Sequence, residues 1–451
     1  MRILSWLDTC TSPTCETATN QSTTIIPQKQ QHASDTSSSS TPTTSSQESN
    51  GNRNSNNSIL TNPSLHSLQN LSFKTLNFSV SHHCVTSLNP NPSTPVTSLA
   101  VHGHLLYVAT GHQITVYENN TFTNLHNFNS QATSSGSTKT ITFCNGMIFT
   151  THQDSKIRVW NHTPQKSNLH RMLTTLPTVN DRLRRFLLPK NYVTIRRHNK
   201  RLWIEHADAV TGLAVNNVNG VIYSVSWDKT LKIWRVSDLR CLESVKAHDD
   251  AVNAVAVSND GTVYTGSADK RIRVWAKPNN EKRHVLLATL EKHESAVNAL
   301  ALNDDGSVLF SGACDRSIIV WERENSANHM VVSGALRGHE KAILCLINVS
   351  GLLLSGSADR TVRIWKRGFN EQFCCLAVLD GHRKPVKSLA AIPYQNDNDQ
   401  TNCSSSRNGD VFTVFSGSLD GEIKVWQVSI ERLKKVHEST TISNNESLER
   451  E

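Results

Sequence analysis

Leu353-Leu354-Ser355-Gly356-Ser357-Ala358-Asp359-Arg360-Thr361-Val362-Arg363-Ile364-Trp365, preceded by His339-Glu340-Lys341-Ala342-Ile343-Leu344-Cys345-Leu346, is the stretch that decides the fold. An apolar run from Ile343 to Val349 passes through a Ser350-Gly351 turn into a second apolar strand, Leu352 to Leu354. A tight polar turn at Ser357 to Asp359 then leads into the alternating strand Thr361 to Trp365. The pattern is three short β-strands joined by hairpin turns, with no helical period between them. Its polar positions suit a buried hydrogen-bond chain. Asp359 accepts from its own turn and from an imidazole, while His339, Ser355 and Trp365 relay donors and acceptors between strands. Such a network is stable only when every member finds its partner. A Ser, His and Asp set also suggests a nucleophilic triad. The same set recurs in copy after copy with no copy specialised, so a structural role is the reading adopted and no catalytic residue is assigned.

The copies are counted by their strand-terminal aromatics: Tyr117, Trp160, Trp234, Trp275, Trp321, Trp365 and Trp426, which makes seven modules. Six have an Asp six residues earlier: Asp154, Asp228, Asp269, Asp315, Asp359 and Asp420. Ser224, Thr265, Ser311, Ser355 and Ser416 stand four residues before the Asp, and the His is His206, His248, His293, His339 or His382. Five modules hold the full set, the second is partial, and the first has lost it.

A period of about 40 to 45 residues with several strands per repeat is the signature of a β-propeller, one four-stranded blade per repeat. These residues resemble those of the WD-repeat family from about Ser81 to Val428. The resemblance implies an all-β, seven-bladed propeller. The last module stops after its third strand at Trp426, and an extra β-like segment, His83 to Leu88, precedes the first. That segment is expected to complete the seventh blade and remove an open sheet edge.

Outside the repeats the composition changes. Apolar residues make up 37% of the 451, and the deficit lies at the N-terminus, where 20–58 is mostly Ser, Thr, Asn and Gln. Such a segment cannot bury enough apolar surface to offset its ordering entropy. The expected organisation is a disordered tail over 1–80, a propeller over 81–430 with a polar loop at 395–409, and a polar C-terminal tail over 431–451. The apolar start is interrupted by Asp8, too short for a secretory segment, and no stretch reaches the length of a membrane span. The expected location is the cytoplasm, the nucleus or both. None of the ten cysteines forms a Cys-x-x-Cys pair. They are read as reduced packing residues, and no metal and no cofactor are assigned.

One insertion departs from the repeat in kind. Trp160 and Trp234 are 74 residues apart, so roughly 30 residues have been added to the period. Val179, Leu183, Phe186 and Leu187 sit at helical spacing between Pro177 and Pro189, which predicts a short amphipathic helix. Tyr192 to Ile195 reads as a strand or extended arm. Over 166–205, ten basic residues stand against two acidic ones, a local net charge of +8 that equals the net charge of the whole chain. A local field of this kind recruits acidic partners. The candidate partner-binding residues are Arg182, Arg184, Arg185, Lys190, Arg196, Arg197, Lys200, Arg201 and Trp203. They are expected to form a basic ledge beside the central channel, on the face carrying the His206-type loops. The competing reading is a solvated cap whose apolar face covers the edge of a blade.

The string from Leu176 to Val215 resembles the plant JINGUBANG-like branch of WD-repeat proteins, and Leu287 to Trp321 and Leu379 to Ile392 are similar to it too. This resemblance implies a non-enzymatic regulator of plant growth or development that binds signalling or transcription proteins. Two other functions stay open. WD-repeat substrate receptors of ubiquitin ligases often carry Trp-Asp-x-Arg, which Trp321-Glu322-Arg323-Glu324 and Trp365-Lys366-Arg367-Gly368 do not match. Nucleic-acid or phosphoinositide binding would use the cations beside Phe186, Tyr192 and Trp203. Phosphoinositide-binding propellers carry Phe-Arg-Arg-Gly, which Leu183-Arg184-Arg185-Phe186 is not. No phosphate-binding Gly loop or nucleophile elbow is present.

Overall fold

The computed structural model of the protein describes Leu65, Leu68 and residues 69–70, 72–73, 78–130, 133–162, 170–196, 199–278, 281–324, 330–368, 372–394 and 409–432. Seven antiparallel four-stranded units succeed one another along the chain, giving the seven blades that the repeats predict. Their inner strands are Val96–His102, Thr138–Cys144, Val210–Asn216, Val252–Val257, Val297–Leu302, Ile343–Val349 and Val386–Pro393. Each inner strand packs on the next, and Val386–Pro393 packs on Val96–His102, so the ring closes.

The turns that join the second and third strands repeat one device. The residue after the turn Asp has positive φ at Ser155, Lys229, Lys270, Arg316, Arg360 and Gly421. A left-handed conformation is unfavourable for residues other than Gly. Here the preceding Asp offsets it by accepting the backbone N–H two residues on, as from Thr230 (2.9 Å), Arg271 (3.0 Å), Ser317 (3.1 Å), Thr361 (2.9 Å) and Glu422 (2.9 Å). The core is apolar packing within and between blades. For example, Trp365 of blade 6 lies in one cluster with Phe310, Ile318 and Leu336 of blade 5.

The seventh blade joins the two ends of the described chain. Phe78–Leu88 is its outermost strand, antiparallel to Ile423–Arg432, with Cys84 opposite Trp426 and Leu88 opposite Ile423. The closing strand, expected over His83 to Leu88, begins five residues earlier, at Phe78. The domain boundary expected at residue 80 therefore falls inside a strand and is corrected. Ordered chain also precedes this strand. Leu65 and Leu68 are buried against Tyr264, Ile272 and Leu309, Gln69 O accepts from Ala335 N at 2.9 Å, and Ser72–Phe73 adds a parallel fifth strand beside Phe373 and Cys374. Isolated apolar residues in a polar run anchor this strap, and an average over composition conceals them. The rest of the expected N-terminal tail, the 395–408 part of the polar loop, and the C-terminal tail beyond 432 lie outside the described residues. Among the described residues no helix is long and apolar enough to cross a membrane.

Candidate functional site

The recurrent polar set forms a buried network inside the blades. His206 Nδ1 meets Asp228 at 2.9 Å, its Nε2 meets Ser224 Oγ at 2.8 Å, and Trp234 Nε1 donates to the same Oγ at 2.8 Å. Blade 4 does the same with His248, Asp269 (2.9 Å), Thr265 (2.8 Å) and Trp275 (3.0 Å). His293, Asp315, Ser311 and Trp321 repeat it in blade 5, and His339, Asp359, Ser355 and Trp365 in blade 6. Each hydroxyl is occupied by both the imidazole and the indole and sits between strands, so the geometry is that of a clamp. Burial pushes Asp269 up, but hydrogen bonds from His248 and from the Arg271 and Asp249 backbones outweigh it and hold the carboxyl at about 2.

Blade 7 is the exception. His382 Nε2 meets Ser416 Oγ at 2.7 Å and Trp426 Nε1 donates to that Oγ at 2.9 Å. Asp420, however, accepts from the Arg383 and Lys384 backbones (3.1 and 3.3 Å), and His382 Nδ1 is buried without a hydrogen bond. Ligand atoms of His382, Asp420 and Glu422 lie within 4.8 Å of one another. Lys424 already supplies a cation there, 3.1 Å from Glu422.

The insertion is built around one carboxylate. A helix spans Val179–Phe186, capped by Thr178, whose hydroxyl accepts from Asp181 N at 3.2 Å. Its C-terminal carbonyls are met by the chain that follows: Asn191 Nδ2 donates to Arg185 O (2.9 Å) and Tyr192 OH to Phe186 O (3.0 Å). The predicted arm is a hairpin, Tyr192–Arg196 against Asn199–Leu202. Asp181 is the buried residue of the helix. It pairs with Arg185 and accepts from Cys241 N at 3.3 Å, while Arg185 donates to Cys241 O at 3.4 Å. Cys241 belongs to Arg240–Lys246, the outermost strand of blade 3. One ion pair thus satisfies both backbone groups of a residue on an exposed sheet edge. Arg185 also stacks over Trp203 with its guanidinium 5.0 Å from the ring centroid. Buried Lys232 donates to Trp203 O (2.5 Å) and Ser244 Oγ (2.6 Å), and burial lowers its pKa.

This anchoring corrects the expected ledge beside the central channel. The helix sits on the outer rim of blade 3, because its contact strand is the outermost one. The hairpin alone approaches the loop face, where Arg201 donates to His206 O at 3.0 Å and to Ser155 Oγ at 3.4 Å. The candidate cations also divide. Arg182 pairs with Glu205 at 3.1 Å, and Arg185 and Arg201 are held as described. Arg184, Lys190 and Lys200 are exposed and make no hydrogen bond or ion pair among the described residues. The side chain of Arg196 and all of Arg197 lie outside the described residues.

The expected cap is inverted as well. The helix meets the blade through its polar side, and its apolar stripe faces solvent: Val179 is 69% exposed, Leu187 74%, and Leu183 and Phe186 about half. Leu188, Val193 and Ile195 are exposed beside it. Apart from Phe186, which the nucleic-acid alternative included, these apolar residues were missed as binding candidates. The signal was present, since Asp181 lies opposite the stripe at helical spacing and faces a cluster of arginines.

A family model of the WD domain, G-beta repeat, matches residues 199–235, 239–276, 284–322, 330–366 and 373–427. The chain is 33% identical over 75 residues to Mitochondrial division protein 1 of Schizosaccharomyces pombe, covering 17% of this chain and 11% of that protein. It is 33% identical over 61 residues to Small ribosomal subunit protein RACK1 of Drosophila melanogaster (13% and 19%). With Striatin-3 of Rattus norvegicus it shares 29% over 139 residues (26% and 18%). The chain spans less than a fifth of the length of each of these relatives.

Proposed function

Since its repeats make this chain a member of the WD40 family, we propose that it is a non-enzymatic protein-interaction scaffold whose docking surface is the rim insertion of blade 3. One observation carries the reading: the inserted helix presents Val179, Leu183, Phe186 and Leu187 to solvent while burying Asp181. An apolar stripe held outward by an ion pair is costly for an isolated molecule and productive in a complex. The flanking Arg184, Lys190 and Lys200 favour a protein partner with an acidic surface around an apolar anchor. We place nucleic acid second, because Arg182, Arg185 and Arg201 are engaged internally. A ubiquitin-ligase receptor role has no feature of the rim in its favour. The finer reading, a plant growth or developmental regulator acting on signalling or transcription proteins in the cytoplasm or nucleus, rests on the resemblance of Leu176 to Val215 to the JINGUBANG-like branch.

The test is quantitative affinity purification of wild type beside Leu183→Ser/Phe186→Ser and beside Arg184→Glu/Lys190→Glu/Lys200→Glu. All five side chains are exposed, so both variants are expected to melt like wild type. Partners that bind the rim are lost from the first variant and depleted in the second. An unchanged partner set in both refutes the assignment.

A further inference from the structure

Each of the seven inner strands shifts register after its first residue, so the next residue occupies an equivalent place in every blade at the wall of the central channel. In blades 3, 4 and 5 that residue is uncharged and ties its strand to the following blade. Thr211 Oγ1 donates to Val252 O (2.7 Å), Asn253 Nδ2 to Val297 O (3.0 Å), and Asn298 Nδ2 to Ile343 O (2.8 Å). In blade 1 the residue is Thr97, which donates within its own blade to Ala109 O at 3.2 Å. Blades 2 and 7, which flank blade 1, place Lys139 and Lys387 there.

Neither ammonium group has a hydrogen bond or ion pair among the described residues. Lys139 lies 5.6 Å from the ring centroid of Trp227, on the tight turn of blade 3. Burial, and behind it the charge of Lys387, pulls Lys139 down to about 8. Burial likewise lowers Lys387, which the thiols of Cys345 and Cys314 oppose. None of the seven equivalent positions holds a carboxylate. Two partly buried cations on either side of blade 1, without a hydrogen bond or ion pair among the described residues and with no carboxylate at the equivalent positions, are unfavourable unless an anion joins them.

The geometry points to an oxyanion site at the mouth of the channel, where Lys139, resting over the ring of Trp227, and Lys387 together bind a phosphoryl group. Lysine suits this role as a compact point charge that needs no fixed fork geometry. The group reaches the site either as a free phosphate compound or on a phosphorylated side chain of a partner. The site is separate from the rim insertion and does not depend on its function.

Full-length protein is titrated calorimetrically at constant ionic strength with sodium pyrophosphate and, separately, with O-phospho-L-threonine, using chloride as the control. The expected result is one site per chain, weakened at least about tenfold in Lys139→Met and in Lys387→Met and unaffected by Leu183→Ser/Phe186→Ser. Melting curves guard against misfolding. Without anion, each Met variant is expected to melt at or above wild type because a repulsion is gone, and it should lose the anion-induced rise. Binding of pyrophosphate alone assigns the site to free phosphate compounds, and binding of both probes to phosphorylated partners as well. Absence of heat with both probes, or affinity equal to wild type in both variants, overturns the proposal.

Discussion

Asp359 and Asp420 occupy the same place in adjacent blades, yet their removal should cost different amounts. Asp359 accepts four hydrogen bonds: from His339 Nδ1 (2.7 Å), Glu340 N (3.0 Å), Thr361 N (2.9 Å) and Thr361 Oγ1 (2.7 Å). Asp420 accepts three, all from backbone N–H groups of Arg383, Lys384 and Glu422. Glu340, Arg383 and Lys384 are exposed, so water replaces much of what those donors lose. The imidazole of His339 is buried, and without Asp359 its Nδ1 keeps only the long 3.4 Å contact with Thr361 Oγ1. A buried donor left unsatisfied costs roughly 1–3 kcal/mol, and each ordinary hydrogen bond contributes about 0.5–1.5 kcal/mol net. Asp359→Ala is therefore expected to lower stability by about 3 kcal/mol. Asp420→Ala is expected to cost about 1 kcal/mol, because His382 Nδ1 is already unpaired in the intact protein. Equilibrium urea denaturation of both variants, with the slope checked against wild type, measures the difference. Equal losses, or a larger loss at Asp420, would refute the reasoning that the His–Asp bond is the member of the clamp that matters.

Three further outcomes follow from the same geometry. Acidification should destabilise the fold in two stages. Burial holds His206 and His382 below the ordinary histidine value, so the unfolded chain takes up more protons as pH falls through about 6.5. The carboxyl of Asp269, held at about 2, keeps its contribution above the unfolded carboxylate value and loses it as pH falls from about 5 towards 2; a melting temperature flat from pH 7 to 4 would contradict this. Truncation through residue 75 removes the buried Leu65 and Leu68 and should cost about 3 kcal/mol. Truncation through residue 90 also removes Phe78–Leu88, opens the edge of blade 7 and should cost much more, and calorimetry that finds the two alike would count against closure by that strand. Finally, Arg185→Met leaves Asp181 buried without its cation, a loss of roughly 3–5 kcal/mol if the helix stays docked. Undocking relieves it, so trypsin should cleave near Arg182 and Arg184 much faster while the propeller melts as before; unchanged cleavage would show that the pair is not the anchor.

Most of the propeller is written in short-range pattern: the spacing of Asp359 from Trp365, the turn at Ser357 to Asp359, and their recurrence at Asp228, Asp269, Asp315 and Asp420. Closure was legible for a different reason, since a last module that stops at Trp426 leaves a strand's place vacant. What the pattern did not contain was tertiary choice. Leu65 and Leu68 give no periodic signal, and only the groove they fill between blades 4 and 5 makes them core. His382 has every neighbour the repeat asks for, yet Asp420 turns to the Arg383 and Lys384 backbones. The charge excess of 166–205 was visible, but not that Arg185 and Arg201 turn inwards, that Arg182 pairs with Glu205, and that the apolar stripe is left outside.

That inversion follows from what the rim of blade 3 offers. The outermost strand presents backbone N–H and C=O groups, and an apolar stripe laid on them would bury Cys241 N and O without partners, at a cost greater than the burial gains. A carboxylate and a guanidinium one helical turn apart meet both groups, so Asp181 and Arg185 dock in place of Leu183 and Phe186. Once the polar side is down, helical geometry leaves no choice for Val179, Leu183, Phe186 and Leu187, which must face away from the blade. The charge that holds the insertion to the scaffold is thus what exposes its apolar face, and anchoring and partner presentation are two sides of one helix.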